Sequence, residues 1–477
     1  MATMKKKLFG FIIIVLMLLV GSQAFATVYY VDKTTGNDAD TGLTEELAWE
    51  TLAKVATFAQ ATEFTSDDQI LLKCGETWAE TLYLYGTGTS GHHVIYGAYG
   101  EGVDPIISRI YHRNYMHGNV TGDNEYITIQ NMRITNGAGS GVDTSTINYI
   151  TLQNLYVYSC TNAGIEIDTE VAALTDWTIQ DVETTGNTGY GLVISCRINN
   201  LLLERVNTNL NGFDGMNMNH GTNVVVTACI AHDNTQDGFD IQCGIGGLTA
   251  TYQYCRAYDN VSAGFSAKAT VGSTATYQSC ISYGNNEGWE VGNNSNAIIY
   301  NSVAYDNDLI GIYLFNDDTH ILKNNIIFYN GETPAASGFQ VSYLMVGQTL
   351  TADNNYYGVH SLGRSIYVNK DAVFKTFAEW QAYEANAYDQ SGGSGDPLFT
   401  NAAGDDFTLQ KGSPAIDVGA DLGATYDDGL SPISVWPDAV TTLDQDDHGD
   451  GWEIGAYVFI PGSLIPMIMN YRKRLRR

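Results

Sequence analysis

Positive charge is what this sequence has least of. Lys and Arg number 23 against 53 Asp and Glu, for a formal charge of -30. A surface so acidic excludes nucleic acid and anionic lipid as partners. It also repels acidic polysaccharides unless a cation bridges the two, so a cation site is worth seeking. Long apolar runs are missing as well. The run from Leu8 to Val20 falls short of the roughly 20 residues a spanning helix needs. It follows Lys5, Lys6 and Lys7 and precedes Ala24-Phe25-Ala26, so residues 1–26 read as a secretory signal peptide. The expected mature chain starts near Thr27, carries -33 (-30 minus 3), and is secreted or held at the cell surface without a transmembrane span.

Other absences narrow the chemistry. Seven cysteines, an odd number, make no disulfide framework. No Gly-x-Ser-x-Gly elbow and no phosphate-binding loop occurs. His92-His93, His220 and His320 lack partners at metal-ligand spacing and read as surface or turn residues. Asp444-Gln445-Asp446 with Asp450-Gly451 departs from helix-loop-helix calcium spacing and reads as an acidic turn. No repeat holds a long 3.6-residue periodicity, which excludes a helical solenoid.

Repetition is what the chain has in quantity. Gly141, Gly164, Gly191, Gly215, Gly238, Gly264, Gly288 and Gly311 recur at intervals of 23, 27, 24, 23, 26, 24 and 23 residues. A fixed period of this size signals a solenoid. After each glycine the side chains alternate, as in Phe239-Asp240-Ile241-Gln242 and Trp289-Glu290-Val291. Period two with apolar first and third places predicts a half-buried strand. A second strand is expected earlier in each repeat, over 150–155, 201–206, 224–229 and 275–280. Cys229, Cys255 and Cys280 take matching places and are expected to stack inside as small apolar side chains. Asn187, Asn211, Asn234, Asn260, Asn285 and Asn307 precede the glycines. Stacked asparagines hydrogen-bond from coil to coil at a turn. The pattern resembles the asparagine ladders of right-handed parallel β-helices.

The expected fold is therefore all-β: a right-handed, single-stranded parallel β-helix solenoid with N- and C-terminal caps, acting as a monomer. Residues 27–105 read as the N-terminal cap and first strands, with a short helix over 49–60. The coils are expected over 106–335. An excursion with a helix near 374–385 occupies 336–395. A C-terminal cap fills 396–460 and a basic tail 461–477. The phrases at both flanks, among them Asp396-Pro397-Leu398-Phe399 and Gly412-Ser413-Pro414-Ala415-Ile416-Asp417, resemble those of many bacterial β-helix proteins. A likeness of this kind speaks to fold far more than to chemistry.

Alternation turns the second and fourth residues after each glycine outward, and stacking at about 4.8 Å aligns them into columns. Along these columns Asp214, Asp237 and Asp240 fall on neighbouring coils and are candidate ligands of one cation. Calcium accepts such oxygen-rich, flexible sites. Lys268, the only lysine between Lys73 and Lys323, sits one coil on. A plain surface role for it is pairing with Asp240 and Glu290 on the flanking coils. Tyr313 and Phe315 are outward aromatics suited to stacking on sugar rings.

The phrases Phe213-Asp214-Gly215-Met216 and Gln236-Asp237-Gly238-Phe239-Asp240 resemble polysaccharide lyase family 9, calcium-dependent pectate lyases on this fold. Gly264 to Lys268 and Asn286-Glu287-Gly288-Trp289-Glu290 echo its surrounding phrases. The resemblance implies calcium on Asp214, Asp237 and Asp240 and Lys268 as the base; Glu290, Tyr313 and Phe315, on the same outer face, are the candidate substrate-binding residues. Gln236 stands where the family has a fourth aspartate, and Lys268 is fourth after its glycine where the base is expected second. The implied activity is β-elimination on a uronate polymer. Two rivals remain open: a glycoside hydrolase using Asp237 and Asp240 or Glu287 and Glu290, and a non-catalytic surface protein that binds glycan.

Overall fold

The computed structural model describes residues 26–112, 124–168, 173–242, 247–269, 272–316, 318–332, 339–343, 348–361, 365–368, 371–385 and 387–461. The expected signal peptide, apart from Ala26, and the basic tail after Pro461 lie outside the described residues. The chain winds into a parallel β-solenoid of about 11 turns. Parallel pairing begins with Val28–Val31 on Gln69–Lys73 and runs coil to coil as far as Tyr356–Tyr357 on Gly393–Ser394. Met216 pairs with Phe239, Phe239 with Phe265, Phe265 with Trp289 and Trp289 with Ile312. The strand after each glycine thus stacks in register and forms the first sheet. The expected second strand forms the second sheet, as in Leu248–Gln253 on Ser273–Gln278.

Each coil also contributes a third strand that the sequence pattern does not reveal. It is three residues long, as in Ile230–His232, Arg256–Tyr258, Ile281–Tyr283 and Val303–Tyr305. Three residues turn only the middle side chain inward, here Ala231, Ala257, Ser282 and Ala304, all buried. One inward residue cannot display an alternation.

The interior is a set of stacks. Phe239, Phe265 and Trp289 lie with ring centroids 5.0 Å apart at each step and planes within 13°. Each such pair adds about 0.5–1.5 kcal/mol beyond its area burial. Cys229, Cys255 and Cys280 are buried free thiols in one stack, each sulfur against a main-chain carbonyl of the preceding coil at 3.4–3.5 Å. His320 departs from expectation. It pairs with Ala297, faces inward and is fully buried, and its Nδ1 accepts from the Ala297 N–H at 3.2 Å.

The asparagine ladder is continuous. Each Nδ2 donates to the Oδ1 of the next coil: Asn187 to Asn211 at 2.9 Å, then Asn234 at 3.0, Asn260 at 2.9, Asn285 at 2.9, Asn307 at 3.2 and Asn330 at 2.8. Gln340 receives the last rung. A second, shorter ladder runs from Ser302 through Asn325 and Asn355 to Asp389.

At the N-terminal end the helix Leu52–Ala61 covers the opening, capped by Thr51, whose hydroxyl accepts from Lys54 N–H at 3.0 Å. It buries Leu52, Val55, Ala56 and Ala59. The helix Phe377–Gln381 inserts the buried Trp380 against Tyr343 and Tyr388. Beyond it the chain turns back along the outside of the solenoid. Asn354 binds Val418, Asn324 binds Ala420, Asn301 binds Tyr426 and Gln278 binds Asp428. Arg256 finally donates to the Tyr457 hydroxyl at 2.8 Å, and Trp436 lies over the same guanidinium.

Candidate functional site

Asp214 and Asp237 hold the turn position before their glycines, while Asp240 lies on the outward face of the strand Phe239–Ile241. Register pairs Asp240 with Asn217 on one side and Ser266 on the other. Although outward, Asp240 is fully covered, and Asp214 and Asp237 are 2% and 5% exposed. A carboxylate oxygen from each of the three lies within 4.8 Å of the others. Neighbouring backbone fixes two of them. Asp214 Oδ1 accepts from Asp237 N–H at 2.9 Å, and Asp237 Oδ1 from Ala263 N–H at 2.7 Å. Asn217 Nδ2 donates to Asp214 and to Asp240, both at 2.9 Å. Asp240 Oδ1 and Ser266 Oγ remain buried without a partner of good geometry.

Lys268 reaches this group from the next coil. Its Nζ is 2.6 Å from Glu290 and 3.7 Å from Asp237. Asp237, and not Asp240, is thus its second ion-pair partner. Asn217 donates to Asp240 Oδ2. Tyr313 pairs directly with Glu290 in register, and Phe315 packs 5.0 Å from Tyr313 over Gly292. The seven candidate site residues therefore fall on one sheet or at its margins: Asp240, Lys268, Glu290 and Tyr313 on strands, Asp214 and Asp237 just before them and Phe315 just after. Gln236 is exposed at the rim.

Electrostatics follow from the crowding. Burial, and then Asp237, push the Asp214 carboxyl up to about 6. Burial, Asp214 and Asp237 push Asp240 well above the carboxylate range. Burial opposes charge on Lys268, yet Asp237, Glu290 and Asp240 outweigh it and raise the ammonium above its ordinary value. Glu287, in the turn column two coils beyond Asp237, is pushed up to about 7 by burial and by Glu290. Its environment is invisible in the sequence, because it depends on which side chains crowd the turn.

The donor set fits a hard cation. It is all oxygen and three carboxylates deep, and one of its buried oxygens, Asp240 Oδ1, has the Ser266 hydroxyl beside it but no hydrogen bond of good geometry. A second acidic group, Asp427, Asp444 and Asp446, is more exposed, and Asp444 there closes a turn onto Asp446 N–H at 2.9 Å.

The chain is a right-handed parallel β-helix. Residues 170–302 match the family described as right handed beta helix region. Among solved structures, it is similar to pectate lyase Pel9A, at 16% identity over 92% of this chain and 98% of that one, with a TM-score of 0.53. It is also similar to the A-module of the Azotobacter vinelandii mannuronan C-5 epimerase AlgE6, at 13% identity over 73% and 95%, with a TM-score of 0.51. No curated protein sequence matches the chain. At these identities the likeness is one of fold. Among the described residues no helix is long and apolar enough to cross a membrane.

Proposed function

We propose that this chain is an extracytoplasmic, calcium-assisted polysaccharide lyase that cleaves a uronate polymer by β-elimination. The observation that carries the reading is the buried Asp214, Asp237 and Asp240 group, with its orphaned oxygen, beside Lys268. The three aspartates hold the ion, and calcium, when bound, neutralises the uronate carboxylate and the charge that develops as the α-proton leaves. Lys268 Nζ takes that proton. The C–H electrons form the new double bond, the glycosidic C–O bond at the β-carbon breaks, and the leaving oxygen is protonated. Glu290 positions Nζ at 2.6 Å. A base must be neutral to accept a proton. Asp237 and Asp240, two of the three carboxylates that hold Lys268 charged, are the ones a cation engages. Tyr313 and Phe315 stack on the sugar.

The test is ultraviolet absorbance of the unsaturated product from pectate, alginate and other uronate polymers, with calcium and with chelator. The expected result is a calcium-dependent rise that Lys268→Ala lowers by about 10²–10⁴-fold. The absence of any rise defeats the reading. Glu287, held up to about 7 beside Glu290, favours a second reading, a glycoside hydrolase with Glu287 as acid and Glu290 as base. Reducing ends released without absorbance select it. Binding without turnover selects a glycan-binding surface protein.

A further inference from the structure

Large aromatic side chains border the acidic group on both sides along the solenoid axis. Tyr313 and Phe315 are one pair. Tyr190 and Phe213 are the other, with ring centroids 5.2 Å apart and planes tilted by 52°. Tyr190 precedes Gly191 and so extends the turn column of Asp214 and Asp237 by one coil. Phe213 directly precedes Asp214, and its backbone N–H donates to Gly189 O at 3.1 Å. Phe213 is 43% exposed, whereas Phe239 and Phe265 of the later coils are buried in the interior. Burial, and then Asp214 and Asp240, raise the Tyr190 phenol above its ordinary value.

The two pairs sit on opposite margins of the first sheet. Phe213 lies two residues before its glycine, and Phe315 four residues after its own. Four coil steps separate Gly215 from Gly311, a distance of about 19 Å along the axis at about 4.8 Å each. One or two sugar rings do not bridge that distance. The chemistry between the pairs selects the ligand. An aromatic face accepts the C–H face of a sugar ring, whereas an anionic group needs a cation at the aspartates.

We infer that Tyr190 and Phe213 form a second sugar-stacking platform, and that an acidic glycan crosses the first sheet obliquely from Phe213 to Phe315, over the three aspartates and Lys268. The inference rests on the carbohydrate reading of the site. It assigns binding roles to two residues outside the acidic motif and sets a minimum ligand length of several sugars.

Native gel electrophoresis through polygalacturonate, alginate or neutral xylan, with calcium, tests it. The full mature chain carries Lys268→Ala so that the polymer stays intact. Phe213→Ala and Phe213→Leu, at an exposed site, are expected to weaken retention about 3- to 10-fold. They should weaken hexasaccharide binding equally. The inference is overturned if both variants are retained like the parent in every gel where Tyr313→Ala is not. Retention by the neutral glycan alone, weakened by Phe213→Ala, keeps the platform and defeats the uronate reading. A parent retained by none of the polymers overturns both.

Discussion

Two buried polar columns run along this solenoid, and they solve the same problem in opposite ways. The asparagine ladder and the aspartate group both stack polar side chains at one coil per step, and both are nearly or wholly out of water. An amide carries donors and acceptors, so each asparagine satisfies the next. A carboxylate only accepts, so stacked aspartates borrow donors from the Asp237 and Ala263 backbone and from Asn217, and still leave Asp240 Oδ1 unpaired. One column is complete within the protein. The other is not.

Breaking the complete column should cost stability. In Asn260→Ala the Asn234 backbone N–H and Nδ2 lose their shared acceptor, 3.2 and 2.9 Å away. We expect a loss of about 3 kcal/mol in chemical denaturation, since an orphaned buried donor costs ~1–3 kcal/mol. A loss under about 0.5 kcal/mol would show that the ladder contributes little.

Adding a cation should stabilise the other column. Calcium at about 100 times its dissociation constant raises stability by ~2.7 kcal/mol through binding to the folded state. Asp240→Asn should abolish that gain while leaving the calcium-free protein at least as stable as the parent, because the new amide also donates. Titration of melting temperature against calcium reads both effects, and an undiminished gain in the variant removes Asp240 from the ligand set.

The pH dependence sharpens the contrast. Asp214 has its pKa raised from 3.8 to about 6 in the folded state, so the folded protein binds the proton more tightly than the unfolded one. Its contribution to stability is present below pH ~4 and is lost as pH rises through about 6, by an amount on the order of 2–3 kcal/mol. Asp214→Asn should flatten that segment of the calcium-free stability curve. A curve of unchanged slope would mean that Asp214 titrates normally. The smallest effect belongs to Glu290→Gln. Its partner Lys268 retains Asp237 and is 27% exposed, so stability should change by less than ~1 kcal/mol.

Legibility in the sequence followed the number of residues that shared a rule. The glycines, the alternating strands and the ladder asparagines repeat many times, and their period alone gives the stacking and the outward columns. Asp214, Asp237, Asp240 and Lys268 could therefore be placed on one sheet from spacing. The three-residue strands could not be read, because a single inward Ala or Ser carries no period. Of the two expected partners of Lys268, Glu290 holds and Asp240 gives way to Asp237, three residues earlier on the same coil: columns fix which coil a side chain is on, not which way it leans. His320 was read as a turn residue, and nothing in one histidine announces that it occupies the inward position of Ala297. Glu287 acquires its raised pKa first from burial and then from Glu290, and the burial depends on which side chains crowd the turn, which no local motif encodes.

The returning C-terminal segment changes how the whole rod should yield. A stack of coils that touch only their neighbours peels from an open end, one turn at a time. Here Tyr457 is tied to Arg256, 201 residues earlier in the chain, and contacts down to Asn354 join the coils between. The strap spans the very coils that carry Lys268 and Glu290. Peeling from the C-terminal end must therefore release the strap before the coils of Lys268 and Glu290 can part.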